Sequence, residues 1–568
     1  MPATPVATTI PLQALAPQGS RQRYEPVNRR RILLVFPHYT HSFGTFDHAF
    51  PLMKVKGFMP PQGILVIAAY LPESWEVRLV DENVRRATDA DFQWADAVFI
   101  SGMHVQREHI LDINRRAHAH GKVTVLGGPS VSACPEWYRE VDLIQSGEIG
   151  DATDAIVARL DRDVSRPERQ EVYTTAERLP LEQFPSPAYH MIRLSDYFLG
   201  SIQFSSGCPY RCEFCDIPEL YGRNPRLKTP RQVTAELDAM LQRGNPGAVY
   251  FVDDNFIGNR KAALELLKEL VRWQHERGYP IQFACEATLN LAQCPDVLEL
   301  MKEAYFTTVF VGIETPEENA LEFIQKKQNL RQPILEAVEI LNRYGMEVVS
   351  GIIIGLDTDT PDTGERILQF IEASQIPLLT INILHALPMT PLWRRLEAEN
   401  RLLSGAGRES NVDFLLPYET VVGMWRRCVT AAYTPEAVYR RFDHQLRHTF
   451  PNRKVVPATK ARVNAEMIGR GLRILSRLIW HVGVRSDYRR LFWKMALPYL
   501  RQLKIEEVIH TGVVAHHLIS YSRECATGKG EKSFYAPSNV VPEPAAAAPG
   551  AEGRREREEK TEEELAAV

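Results

Sequence analysis

Gly207-Cys208-Pro209-Tyr210-Arg211-Cys212-Glu213-Phe214-Cys215 places three cysteines in eight residues, at the spacing Cys-x3-Cys-x2-Cys. The stretch follows a short apolar run at 202–205, so the thiols sit just past a strand end. Thiolates are soft ligands that suit iron–sulfur clusters. Three of them on a four-iron cube leave one iron open, free to chelate a small molecule and pass it an electron. A structural zinc site uses four ligands, usually as two pairs, and no partner pair accompanies these three. The other five cysteines, Cys134, Cys285, Cys294, Cys428 and Cys525, show no ligand spacing and read as buried packing residues. Eight cysteines in 568 residues make no disulfide scaffold, and the clustering of three points to a reducing compartment.

Outward from the motif, residues 201–390 repeat one unit. Strand-like runs at 202–205, 248–252, 281–284, 308–313, 348–354 and 378–384 alternate with helical stretches such as Pro230 to Arg243 and Lys261 to Arg277. Six βα units in succession predict a partial (β/α)6 barrel with its active site at the strand carboxyl ends. Asp253-Asp254-Asn255, Glu314 and the two glycines Gly351 and Gly355 all fall at or near such ends. Carboxylate and amide oxygens there suit an ammonium group. Asp, Asn and Glu also cap helices, and that simpler role stays open.

Residues 31–160 carry a second α/β pattern. Arg31 to Phe36, Glu76 to Val80, Ala97 to Ile100, Lys122 to Leu126 and Leu143-Ile144 read as strands, with helices at Gly63 to Leu71 and Arg107 to His120. The fold class is α/β: a doubly wound parallel sheet, then the barrel, then a mostly helical C-terminal domain. The ligand of the first sheet belongs at its strand carboxyl ends. Ser101, Gly127-Gly128-Pro129 and Gly147-Glu148 cluster there, and small residues leave room for a large ligand. The expected domains are a flexible leader (1–29), the doubly wound domain (30–160), a connector (161–200), the barrel (201–390), a helical extension (391–535) and a disordered tail (536–568).

A net charge of −4 gives no global footprint for nucleic acid, and none is expected as a partner. No apolar run is long enough to span a bilayer. Residues 461–505 carry ten Lys/Arg against two acids, interleaved with Leu, Ile, Trp and Phe. Such a segment can lie on anionic membrane or form a solvated helical face packed on the barrel. The expected location is cytoplasmic, with peripheral contact at the inner membrane face through 461–505.

The three cysteines, with Phe214 before the last, resemble the signature of the radical S-adenosylmethionine (SAM) superfamily. That resemblance implies a [4Fe-4S] cluster on Cys208, Cys212 and Cys215 whose open iron holds the amine and carboxylate of SAM. It further implies SAM contacts from Asp253, Asp254, Asn255, Glu314, Gly351 and Gly355. The order of the two α/β units, with Pro60-Pro61-Gln62-Gly63 and the Pro-rich Leu384 to Leu392, is similar to the cobalamin-binding branch. It implies cobalamin contacts from Ser101, Gly127, Gly128, Pro129, Gly147 and Glu148. The Asp-x-His-x-x-Gly motif that supplies a lower cobalt ligand in other B12 proteins is absent. His104 lies close enough to a strand end to approach the cobalt, though an ordinary loop histidine is the simpler reading.

Asn411 to Pro417 and Tyr433 to Ala437 resemble the extra domain of the hopanoid C-2 methylase group. The resemblance implies C-methylation of an unactivated carbon of a lipid-like substrate, on ring A of a hopanoid such as diplopterene. It also implies an electron donor such as flavodoxin or ferredoxin. An alternative uses the same cofactors without net methyl transfer, as in the anaerobic cyclase of magnesium-protoporphyrin ester. A cobalamin-binding redox or regulatory protein without catalysis is the remaining reading.

Overall fold

The computed structural model describes residues 8–9, 24–403, 409–456 and 465–527. The tail expected over 536–568 and most of the expected leader lie outside the described residues. Residues 24–28 do not hang free: Tyr24 Oη and the Val27 and Asn28 backbone N–H groups all donate to the Asp161 carboxylate.

The first sheet is parallel throughout, in the order β1-β7-β6-β5-β4-β2-β3. Its strands are β1 (Thr8–Thr9), β2 (Arg31–Phe36), β3 (Glu76–Asp81), β4 (Ala97–Ser101), β5 (Val123–Gly127), β6 (Leu143–Ser146) and β7 (Glu171–Thr174). Residues of β2 alternate between two cores. Leu33 and Val35 face one layer of helices; Ile32, Leu34 and Phe36 face the other. Burial on both faces explains why these strands read as continuous apolar runs. The chain winds one way from β2 to β3 and back across to β4, so the switch point lies between β2 and β4. The sheet extends past residue 160, because β7 pairs with β6 from within the stretch expected as a connector.

The second sheet has six parallel strands in nearly sequential order: β8 (Gly200–Ile202), β11 (Ala248–Phe251), β12 (Gln282–Ala287), β13 (Phe306–Glu314), β14 (Glu347–Ile354) and β15 (Leu378–Ile383). Between β8 and β11 stands a small antiparallel hairpin, β9 (Ser205–Ser206) with β10 (Arg226–Leu227). Patterning runs the first strand through 205. The strand instead ends at Ile202, and the Asp253 carboxylate accepts the N–H groups of Phe204 and Ser205 that a longer strand would have used.

The rest of the connector joins the two sheets. Ser201 Oγ donates to Pro60 O (2.9 Å) and Tyr197 Oη to the Asp81 carboxylate (2.9 Å). The Pro60-Pro61-Gln62-Gly63 motif is thus an interdomain joint: it leads into the helix Gln62–Tyr70, and the Gln62 amide oxygen accepts from Ser201 Oγ at 3.2 Å.

The C-terminal extension is helical, with main helices Tyr418–Ala432, Pro435–His448, Ala465–Leu478, Arg489–Leu500 and Ile505–Ala526. It shares one continuous core with the barrel. Trp425 Nε1 donates to Ile381 O (2.9 Å), and Tyr433 Oη accepts from Leu379 N (2.9 Å), fixing the helices to β15. Among the described residues, no helix is long and apolar enough to cross a membrane.

Candidate active site at the barrel mouth

The cluster loop leaves β9 at Gly207, whose φ of +100° is a conformation that L side chains rarely adopt. A Cβ there would lie 2.7 Å from Gly222 O. Cys208 N donates to that same carbonyl (3.2 Å), and Asp254 Oδ2 accepts from Gly207 N (2.7 Å). Cys215 N donates to Cys212 O at 3.1 Å. The loop thus folds back on itself and brings the three thiols within electrostatic reach of one another. Burial pushes the Cys208 thiol up and the Cys215 thiol well up. Both need a strong positive charge, such as iron, to ionise.

A second segment supports the loop. Gln328 Nε2 donates to Cys212 Sγ (3.4 Å), Glu213 N donates to Ile324 O (3.0 Å), and Asn329 Nδ2 donates to Gly312 O (2.9 Å). Lys326 Nζ bonds Glu314 Oε1 at 2.5 Å. Burial alone would lower the lysine's pKa, but the Glu314 carboxylate and the neighbouring Cys212 hold it above the usual value. Glu314 ends β13 at a register shift with φ +68°, which re-aims its side chain. A Cβ on Gly312 would lie 2.3 Å from Glu314 Oε1 and 2.6 Å from Lys326 Nζ, so the pair lies across a bare glycine.

The end of β11 carries the acidic group. Asp253 is 1% exposed; Oδ1 accepts the two backbone N–H groups, and Oδ2 is buried with no hydrogen-bond partner among the described residues. Asn255 Nδ2 donates to Thr288 Oγ1 (3.3 Å), and its Oδ1 is likewise buried and unpaired. Burial raises Asp253 to about 7, Asp254 to about 6 and Glu286 to about 7. These carboxylates favour the protonated form when folded. Their contribution is fully present at about pH 4 and is lost as pH rises to about 7. Denaturant midpoints of the cofactor-free chain should therefore fall across that window, and Asp254→Asn should flatten the slope. An unchanged slope in the variant would refute the assignment.

On the first sheet, Ser101 at the end of β4 pairs in register with Gly127 at the end of β5. Gly128 (φ +100°) lies so close that a Cβ would be 3.0 Å from both Gly102 O and Ser101 Oγ. Gly147 (φ +100°) donates its N–H to Ser132 Oγ (2.9 Å). Pro129 starts the helix Pro129–Ala133. These small residues line the carboxyl ends of β4, β5 and β6. His104 stands beside them, buried, with Nδ1 3.1 Å from Ser130 Oγ and Nε2 3.8 Å from Asp216 Oδ2. Burial lowers His104 to about 4, so the ring is neutral, and Asp216 directly follows Cys215. The two α/β units meet at this contact.

Two of the residues singled out from sequence are engaged by the protein itself. The Glu148 carboxylate pairs with Arg226 (2.7 Å) on the cluster hairpin and with Arg178 (3.1 Å), so it ties the first domain to the barrel. Beside Gly355 the space is filled: a Cβ would lie 2.6 Å from the Phe414 ring, which the C-terminal extension delivers. At Gly351 a Cβ would meet ordinary contacts, 3.4 Å from Thr380 Oγ1 and 3.6 Å from Glu314 Oε2. Lys326, Gln328 and Glu286 escaped the sequence reading. Lys326 and Gln328 sit in Lys326-Lys327-Gln328-Asn329, which has no apolar period. Glu286 lies at the end of β12, two residues past the strand end read from sequence, so a longer strand there would have flagged it.

The residues fit the two groups that the fold implies. Three convergent thiols and unpaired buried oxygens suit a cluster with a cationic ligand beside it. Small residues at the carboxyl ends of the adjacent parallel strands β4, β5 and β6 suit a large ligand such as a macrocycle. Family models agree: a B12 binding domain over residues 50–159, the Radical SAM superfamily over 202–371, and a domain of unknown function, DUF4070, over 390–531. The class is therefore a cobalamin-binding radical SAM enzyme. The chain is 59% identical to the hopanoid C-2 methylase of Rhodopseudomonas palustris, over 89% of this chain and 96% of that one. An uncharacterized methyltransferase of Synechocystis is 36% identical over 86% of this chain and 90% of its own. The magnesium-protoporphyrin ester cyclase of Rubrivivax gelatinosus reaches 22% over 59% of this chain and 64% of its own. Among solved structures, OxsB, a cobalamin-dependent SAM radical enzyme, shares the fold at a TM-score of 0.56 and 15% identity, covering 88% of this chain and 80% of that one. The chain belongs to the hopanoid C-2 methylase family of cobalamin-dependent radical SAM methyltransferases.

Proposed function

We propose that the chain methylates C-2, on ring A, of a hopanoid such as diplopterene. The single observation that carries this is the 59% identity to a hopanoid C-2 methylase along 96% of that protein's length. When bound, the cluster with SAM supplies hydrogen-atom abstraction, and methylcobalamin supplies the methyl group. The chain supplies position and exclusion of water. Cys208, Cys212 and Cys215 would hold the cluster; Asp253, Asp254, Asn255 and Glu314 would offer oxygens to the SAM ammonium; Gly351, beside Glu314, would lie on the adenosine side. The rim of Ser101, Gly127, Gly128, Pro129 and Gly147 carries cobalamin, and Glu148 through Arg226 holds that rim over the cluster loop. The Phe414 ring packs against Gly355. A one-electron donor such as flavodoxin or ferredoxin completes the system.

The deciding experiment is an anaerobic assay of the reconstituted enzyme with cobalamin, a reductant, methyl-deuterated SAM and diplopterene. Deuterium in a new ring-A methyl is the expected result. Turnover of SAM with no label in any hopanoid would overturn the substrate, and unlabelled oxidised product would favour the cyclase chemistry. Gly128→Val tests the rim. Steric strain of about 1–3 kcal/mol should cut cobalamin retention roughly 10- to 100-fold while iron content holds; unchanged cobalamin retention would refute the rim as its seat.

Peripheral membrane contact suits an apolar substrate. Ile468, Leu472, Trp480 and Val484 are exposed at multiples of four residues along one helical stretch. Arg473, Arg485, Arg489, Arg490 and Lys494 are exposed around them. Near an anionic surface each basic residue contributes about 1 kcal/mol. Arg489→Glu with Arg490→Glu should therefore release the enzyme from phosphatidylglycerol vesicles, and high salt should do the same. Equal binding by the variant would disprove this contact.

A further inference from the structure

Far along the chain from the cluster loop, the segment between β2 and the helix Gln62–Tyr70 meets the C-terminal helix Ile505–Ala526. His41 and His48 come from the first and Glu524 from the second, joining positions 483 residues apart. One imidazole nitrogen from each of His41 and His48 and a Glu524 carboxylate oxygen all lie within 4.8 Å of one another. One carboxylate is shared by two imidazoles: Oε2 is 2.9 Å from His41 Nε2, and Oε1 is 3.2 Å from His48 Nε2. The second approach is close but out of line for a hydrogen bond, and His48 Nε2 is sealed from solvent. Meanwhile His41 Nδ1 contacts the Asp47 carboxylate, which also accepts from Thr45 Oγ1 at 2.6 Å.

These facts have one chemical consequence. With carboxylates on both nitrogens, His41 must carry a proton on each, unless another cation takes the Nε2 position. A metal-bound imidazole commonly donates its second N–H to a carboxylate, which sets the tautomer and orients the ring. Asp47 stands where that partner belongs. Two imidazole nitrogens and a carboxylate oxygen form the donor set of zinc-type ions, with a further position left for water or a fourth ligand. Asp47 and Glu524 together balance a divalent charge.

We propose that His41, His48 and Glu524 bind a divalent zinc-type ion, with Asp47 as the outer partner of His41. The ion rivets the 41–53 segment to the C-terminal helix. That segment already sends Phe43, Phe46 and Ala49 into the core shared by the barrel and the extension. His517, stacked on Phe46 at 4.7 Å and donating from Nε2 to Phe43 O, holds the same turn in place. The ion is separate from the iron held by Cys208, Cys212 and Cys215.

The test is zinc binding to the full-length protein carrying its iron–sulfur cluster, so that the cluster thiols are occupied. After incubation with zinc chloride and desalting, elemental analysis should find about one zinc per chain. Zinc should raise the melting midpoint, and calorimetry in two buffers should show proton release as Nε2 is deprotonated. His48→Ala and Glu524→Gln should each lose the zinc and the midpoint shift while keeping iron. Asp47→Asn should weaken zinc affinity about 10- to 100-fold. Absence of retained zinc in the unaltered protein, or equal zinc in the variants, would overturn the site. Should Glu524→Gln fail to fold, His48→Ala, at the half-buried edge of the group, decides the question.

Discussion

Replacing any one of Cys208, Cys212 or Cys215 by alanine should abolish SAM cleavage, a loss of at least about 10³-fold, and should strip most of the iron. The loop offers three thiols and no fourth. Losing one leaves two anchors for the whole cluster and opens a second iron. Cys208 and Cys215 are held high by burial, so iron supplies the charge that keeps them as thiolates. Neighbouring cysteines cannot substitute: Cys285 is fully buried in the core, and Cys134 lies in the first domain's core. Cys134→Ala therefore serves as a control that keeps iron and cleavage. Iron per chain and 5′-deoxyadenosine formed are the measurements. Full iron and full cleavage in a single Cys→Ala variant would sink the cluster assignment.

Lys326→Met should cost about 3–5 kcal/mol of stability and lower cluster retention. Its Nζ and the Glu314 carboxylate form a pair with side-chain exposures of 7% and 11%. Removing the cation leaves a carboxylate buried against Gly312 and beside the cluster thiols, where no other cation bonds it among the described residues. The double variant Lys326→Met, Glu314→Gln removes both charges. It should recover most of the stability, because a neutral pair has far less desolvation to offset. Activity should stay low in the double variant, since Glu314 is one of the carboxylates proposed to meet the SAM ammonium. Denaturant midpoints and iron content of the three proteins decide this. A single variant as stable as the parent would show that the pair is not what holds β13 to the 326–329 segment.

The two α/β units were readable because their evidence is local. Apolar runs such as Arg31–Phe36 recur at the spacing of a buried strand, and the structure keeps those bounds. Helix bounds were nearly as clear: Thr229 caps Pro230–Arg243 from its own side chain, and capping is also a near-neighbour effect. The first barrel strand was read too long, since Asp253, some fifty residues away, takes the backbone N–H groups of Phe204 and Ser205. The seventh strand of the first sheet was read as connector because Glu171–Thr174 is short and mixed in polarity.

The amino-acid sequence alone determined the three-cysteine motif, the order of the two parallel sheets and the cofactor class. Each is written in a contiguous motif or a period of a few residues, which backbone geometry turns directly into structure. Tertiary structure decided the rest. Only folding sets Lys326 across Gly312 from Glu314, Arg226 against Glu148, and the Phe414 ring over Gly355. Only folding brings Glu524 to His41 and His48. Contacts between such distant residues leave no periodic trace in the chain. They arise where packed elements meet, and burial there makes each charge demand a partner.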